Sequence, residues 1–288
     1  MSSALPSSGT RDHKEAIIKK ESMNVAATAQ AASIIVNGAR LELIERGRGR
    51  PILFLHPHIG LDPSAPVLAM LAEGGRLIAP SHPGFGHSER PAGITTVDDV
   101  AYVYLDLMDR LDLRDTLLVG MSLGGWIAAA IAVKATARIA RLVLANPVGI
   151  KVAGREDREI LDIFMMQENE FIQAAFADPA AGRRDYASMT EDELVVAARN
   201  RESAALYAWS PYMHDPKLKG RLHRIDIPTL VLWGMDDRLI DASYGRAFCA
   251  AVPGAKFESI AGAGHFPHIE QPKAFAEHVL AFANTGDE

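Results

Sequence analysis

Short apolar runs and longer amphipathic stretches alternate along most of the chain. From residue 33, Ile34 and Val36 alternate with polar neighbours into Asn37-Gly38, and Leu41 and Leu43 alternate out of it. Period two on both sides of an Asn-Gly pair predicts a hairpin closed by a type I′ turn. Continuous apolar runs at 51–56 and 76–80 predict buried strands. Helix and strand then alternate: helix over 97–111, strand over 116–121, helix over 123–136, strand over 141–146. The rhythm breaks at 147–226, a long and largely helical stretch, and resumes with strand 228–234, helix 241–252, strand 255–261 and helix 271–283. This order predicts an α/β fold, a mostly parallel, doubly wound sheet with helices on both faces and one insertion. Residues 1–32 are rich in Ser, Ala, Thr and charge without a sustained apolar period, and are expected to form a flexible or weakly helical extension.

Open sheets of this kind bind ligands at the carboxyl ends of their strands, so the polar residues just after each strand are the ones to weigh. Residues 120–125 read Gly-Met-Ser-Leu-Gly-Gly between a predicted strand and a predicted helix. A serine on such a turn sits in strained backbone with its hydroxyl at the sheet edge, which makes Ser122 a candidate nucleophile. A hydroxyl needs a base, and the base needs a third group to orient it. Of the ten histidines, His265 follows the last strand in a glycine-rich loop and is the first candidate base, with His268 the second. The strand ending at Gly234 runs into Asp236 and Asp237, either of which is placed to be the acid; Asp236 is equally suited to a turn or helix cap. Asn146 ends another strand, but an amide cannot supply the charge that stabilises an imidazolium. The loop His56-Pro57-His58-Ile59-Gly60 is positioned to offer a backbone donor to an oxyanion, alongside the N–H of Leu123. With His82, these histidines invite a metal reading, but no carboxylate-rich ligand set stands at recognised spacing, so no metal is expected.

Composition narrows the partners. The chain has 288 residues, 48% hydrophobic and 23% charged, with a net charge of -6, which suits one large globular domain with an insertion and gives no basic footprint for nucleic acid. Cys249 is the sole cysteine, so no intrachain disulfide forms. No run of about 18 apolar residues offers a membrane span, and the start lacks a secretion signal, so the expected location is the cytoplasm. Oligomeric state, homo-oligomer included, stays open.

Taken together, five motifs in order resemble the α/β-hydrolase superfamily from about residue 33 to 284: His56-Pro57, residues 83–88, residues 120–125, residues 233–237 and residues 264–272. The resemblance implies an α/β-hydrolase core over 33–147 and 227–288 with a helical cap over 148–226. It assigns Ser122 as nucleophile, Asp237 as acid, His265 as base, and the amides of Leu123 and His58 as oxyanion donors. Pro57 stands where the family commonly has glycine, which removes an N–H and stiffens the loop. Ser81-His82 replaces a frequent aspartate, and Asp241 a frequent proline. Substrate contacts are expected from His56, Trp126, Met165, Trp209 and Phe266. The implied activity is two-step acyl transfer to water on small or medium, fairly apolar esters, with no cofactor. The alternatives are cleavage of a carbon–carbon bond beside a ketone, lactone hydrolysis, and small-molecule binding without catalysis.

Overall fold

A computed structural model describes residues 31–154 and 156–285. The predicted extension therefore lies outside the described residues, apart from its last two, which open the first strand. The strands are β1 (Ala31–Val36), β2 (Ala39–Arg46), β3 (Pro51–Leu55), β4 (Arg76–Pro80), β5 (Thr116–Met121), β6 (Ile139–Ala145), β7 (Thr229–Gly234) and β8 (Lys256–Ile260). They form one sheet in the order β1-β2-β4-β3-β5-β6-β7-β8. β1 and β2 pair antiparallel, as do β2 and β4. Every other pair is parallel. The β1–β2 turn has both Asn37 (φ 47) and Gly38 (φ 81) at positive φ, as a type I′ turn requires.

Strand alternation divides the core in two. Leu53, Leu55, Leu118, Leu142, Leu144, Val231 and Trp233 point to one face, while Ile52, Phe54, Leu117, Val119, Val143, Leu230 and Leu232 point to the other. With both faces covered, the central strands read as unbroken apolar runs. Among the described residues, eight helices of the α type flank or follow them, in addition to one missed by the sequence pattern: α1 (Pro66–Glu73), whose Val67, Leu68 and Leu71 are fully buried. The others are α2 (Val97–Arg110), α3 (Leu123–Lys134), α4 (Glu168–Ala175), α5 (Pro179–Gly182), α6 (Glu191–Ala208), α7 (Ala242–Ala251), α8 (Pro267–Glu270) and α9 (Pro272–Ala283). α3 is buried from Leu123 through Val133, so it carries no polar face and had no amphipathic signature to offer.

The segment joining β6 to β7 carries α4, α5 and α6. α6 starts on a capping box in which Thr190 and Glu193 exchange hydrogen bonds, and it is fastened to the loops at the sheet edge. Tyr207 donates to the Pro83 carbonyl at 2.9 Å, Arg199 to the Ser88 carbonyl at 2.8 Å, and the Asn200 amide accepts from Gly86 N–H at 2.8 Å. A further tie is ionic: His87 reaches Asp192 of α6 at 3.0 Å and Glu42 of β2 at 3.3 Å. The hydrogen bond to Asp192 is the main cause of a raised His87 pKa; desolvation opposes it, and Glu42 adds to the rise. Because the folded pKa lies above the unfolded value, this contribution is complete below about pH 6.5 and is lost as pH rises through the raised pKa. The pair is exposed, so about 0.2–1 kcal/mol is the appropriate scale. His87→Gln is therefore expected to lower Tm by about 1–3 °C at pH 5.5 and by less at pH 8.5, in thermal melts followed by circular dichroism.

Candidate active site

β5 delivers Ser122 to the carboxyl edge of the sheet, and the turn there is tight. Ser122 has φ 50 and ψ −111, a conformation costing of order 1–3 kcal/mol, and its N–H is held by the Ala145 carbonyl at 3.0 Å. Two glycines let the chain pass: a Cβ on Gly120 would overlap the Gly124 carbonyl, and one on Gly124 would overlap the Leu55 carbonyl. The result is a side chain aimed away from both strand and helix at a fixed point.

At that point His265 Nε2 lies 2.8 Å from Ser122 Oγ, and His265 Nδ1 lies 2.8 Å from Asp237 Oδ2. All three are buried, at 0%, 1% and 8% exposure. Nδ1–H donates to the carboxylate, which leaves the Nε2 lone pair to accept from the serine hydroxyl. Asp237 is held from two sides: Oδ1 accepts from the N–H groups of Leu239 (2.9 Å) and Ile240 (3.1 Å), and Oδ2 also accepts from Asn146 Nδ2 (2.9 Å). Asn146 accepts from Gly234 N–H at 3.0 Å through its own Oδ1, so the amide bridges β7 to the carboxylate. In the sequence Asn146 is only an amide at a strand end; that it donates to the Asp237 carboxylate is legible in the fold alone.

The alternatives at each position have other work. Asp236 accepts from Gly262 N–H at 3.0 Å and fixes the turn. His268 is buried among Phe54, Phe266 and Phe275, and burial pushes its pKa down to about 3. The segment between β6 and β7 also touches this centre. The last carbonyls of α4 accept the backbone N–H of the residue after Asp237 and that of His265 itself: Ala174 from Arg238 at 3.0 Å, and Ala175 from His265 at 2.7 Å.

His56 and His82 interlock beneath the loop. His56 Nδ1 donates to the Pro57 carbonyl (2.7 Å), and Nε2 accepts from His82 N–H (2.9 Å). His82 Nε2 donates to the His56 carbonyl (2.8 Å), while its Nδ1 accepts from Tyr104 (2.5 Å). The rings stack at 3.7 Å. Burial holds both neutral, lowering His56 to about 4 and His82 well below the usual value. They are a brace for the loop. Among the described residues, no group of three or more His, Cys, Asp or Glu side chains is arranged to hold a metal.

A cavity of about 180 Å³ opens beside this centre, walled by His58, Ile59, Phe164, Phe171, Phe176 and Asn200, with Glu168, Arg184, Tyr186 and Arg201 among its polar lining. An apolar cavity of about 150 Å³ is enough for benzene, so the space suits a compact group. Its wall does not include the five expected substrate contacts. His56 is engaged with His82. Trp126 packs on Gly149. Met165 and Trp209 are 73% and 50% exposed, whereas the neighbouring Phe164 and Met166 face inward. Phe266 lies behind the wall, edge-on to His265 at 5.0 Å and against Phe176 at 5.1 Å.

A buried serine, histidine and carboxylate hydrogen-bonded in line at the carboxyl edge of a mostly parallel sheet is the arrangement found in nucleophile-elbow hydrolases. The chain belongs to the Alpha/beta hydrolase family, which it matches over residues 52–278, and it is a hydrolase. It is 28% identical to the 2-hydroxymuconate semialdehyde hydrolase of Pseudomonas sp. (strain CF600) over 282 residues, covering 88% of this chain and 94% of that protein. Among solved structures it is similar to a meta-cleavage product hydrolase from Pseudomonas fluorescens IP01 (TM-score 0.72, 21% identity, 88% of this chain and 97% of that one). It is also similar to an esterase from Exiguobacterium antarcticum (TM-score 0.69, 18% identity, 89% and 100%). At these identities the two structures speak for the fold. Among the described residues, no helix is long and apolar enough to cross a membrane.

Proposed function

We propose that the protein is a serine hydrolase acting on carboxylic esters, with Ser122 as nucleophile, His265 as base and Asp237 as the acid that orients and charges it. The observation that carries this reading is the unbroken relay, 2.8 Å from Oγ to Nε2 and 2.8 Å from Nδ1 to the carboxylate, behind a serine at φ 50. Ester hydrolysis asks for nothing beyond these groups. Ser122 attacks the carbonyl as His265 takes its proton, and the tetrahedral oxyanion is received by the N–H groups of Leu123 and His58. Leu123 opens α3, where an N–H has no intrahelical acceptor. His265 protonates the leaving alcohol, and water activated by the same imidazole releases the acid. A protein that only bound its ligand would have no need for nucleophile, base and acid in line.

In this reading residues 148–226 form a cap over the site. The apolar wall suits the body of an acyl group, while Arg184 and Arg201 favour a substrate with a polar or anionic end. Each guanidinium donates to a carbonyl at 3.5 Å (Arg184 to Ile59, Arg201 to Phe164), and neither forms an ion pair with a described carboxylate. The same two arginines favour a second reading, hydrolysis of a carbon–carbon bond beside a ketone in an acidic substrate; the 28%-identical relative is named as a 2-hydroxymuconate semialdehyde hydrolase.

Release of p-nitrophenol from p-nitrophenyl butyrate, together with fluorophosphonate labelling of Ser122, tests the first reading; purified protein showing neither would overturn it. Bleaching of the dienoate chromophore of 2-hydroxy-6-oxohexa-2,4-dienoate, without ester turnover, would select the second.

A further inference from the structure

His58 is a histidine whose ring the relay does not use. It is 8% exposed, its Nδ1 is buried without a hydrogen-bond partner among the described residues, and its side chain walls the cavity. His56 and His82 spend both nitrogens on the loop; His268 Nδ1 is likewise buried without a partner among the described residues, but that ring lies among phenylalanines and outside the cavity wall, so His58 is the one of the two that faces the cavity. The His58 ring is wedged edge-on to Phe171 at 5.8 Å and tilted against Phe266 at 5.7 Å, so it cannot swing freely to find solvent, and its centroid is 6.3 Å from that of His265. A buried imidazole nitrogen left unpaired is unfavourable, and a ligand that pairs it recovers that loss.

We propose that the His58 imidazole is a specificity residue that hydrogen-bonds an oxygen substituent, hydroxyl or keto, on the carbon α or β to the scissile carbonyl. This rests on the serine-hydrolase reading, in which the backbone N–H of the same residue receives the oxyanion. A side chain that leaves from that backbone reaches only the first atoms of the acyl group beyond the carbonyl. Burial, with His265 and Arg184 adding to it, brings the His58 pKa down to about 3, so the ring is neutral throughout the working range. A neutral imidazole offers one donor and one acceptor, which matches a hydroxyl better than a methylene or a bare carboxylate. Ester discrimination by such a contact exceeds what an apolar pocket achieves, because the wrong acyl group leaves the buried nitrogen unpaired.

The test compares methyl 2-hydroxybutyrate and methyl 3-hydroxybutyrate, each as both enantiomers, with methyl butyrate, by pH-stat titration of the acid released. The wild type is expected to favour at least one oxygenated ester about tenfold or more in kcat/KM. His58→Leu is expected to bring that ratio to about one, and His58→Gln, which keeps a donor and an acceptor, to restore part of it. A wild-type preference for methyl butyrate, or an unchanged ratio in His58→Leu, would overturn the proposal. A second measurement needs no turnover: ¹⁵N-histidine spectra of Ser122→Ala titrated with 2-hydroxybutyrate, 3-hydroxybutyrate and butyrate. A His58 ring-nitrogen shift with a hydroxy acid and not with butyrate supports the site even if esters are not cleaved, in which case the esterase reading alone fails. Equal shifts with all three, or none, overturn the site.

Discussion

Ser122→Ala is expected to lower kcat for p-nitrophenyl butyrate by roughly 10⁶-fold and to abolish fluorophosphonate labelling, while the melting temperature stays within a few degrees of the wild type. The size of the loss follows from the relay acting as a unit: with no hydroxyl on the elbow, His265 has no proton to take and the oxyanion donors have no covalent intermediate to hold. Stability should change little because alanine keeps the Cβ, and hence the φ 50 backbone, while removing only the Oγ to Nε2 hydrogen bond. Retention of more than about a hundredth of the activity by a pure, folded variant would exclude Ser122 as the nucleophile.

Asp237→Asn is the second large effect, and its cause lies in the count of donors around the carboxylate. Oδ1 receives the N–H groups of Leu239 and Ile240; Oδ2 receives Asn146 Nδ2 and His265 Nδ1. An amide has one acceptor end. If its oxygen keeps the two backbone donors, its NH₂ faces the Asn146 amide and forces His265 to turn Nδ1 into an acceptor, which moves the ring proton to Nε2. The imidazole then points a proton at the serine and cannot remove one. If the amide flips, two buried backbone N–H groups face an NH₂. Either way the expected loss is about 10⁴-fold in kcat, measured at neutral pH. Partial recovery at high pH is expected in the first arrangement, as hydroxide assists removal of the serine proton. A variant within tenfold of wild type would show that Asp237 is not the orienting acid.

Much of this centre was legible in the chain because its chemistry is written in local backbone demands. Glycines at 120, 124 and 125 around a serine, and a histidine after the last strand, are local requirements of a tight edge and survive without knowledge of packing. The parallel strands were equally plain, since burial on both faces leaves continuous apolar runs. α1 was missed because it is eight residues long, opens on Pro66 and carries only three buried apolar side chains, too few to establish a helical period. The cavity wall was harder for a related reason. Within 163–171, aromatic and sulfur side chains alternate between the inside and solvent according to how the segment lies on the loops, so Met165 looks as good a contact as Met166 until that placement is known. The Asn146 bridge and the unpaired His58 nitrogen are relations between distant residues, and no one position announces them.

The fastenings of α4 and α6 alter what kind of object the segment between β6 and β7 is. The end of α4 supplies acceptors to the loops bearing His265 and Arg238, and Asn200 of α6 accepts from Gly86 and donates to the Ile59 carbonyl at 3.4 Å, next to His58. The segment is thus a piece of the frame that holds the loops bearing His265, Arg238 and His58, rather than a roof laid over a finished room. An exchange of this segment for that of a relative would carry over a new pocket and, unless those acceptors came with it, remove the jig that sets the relay.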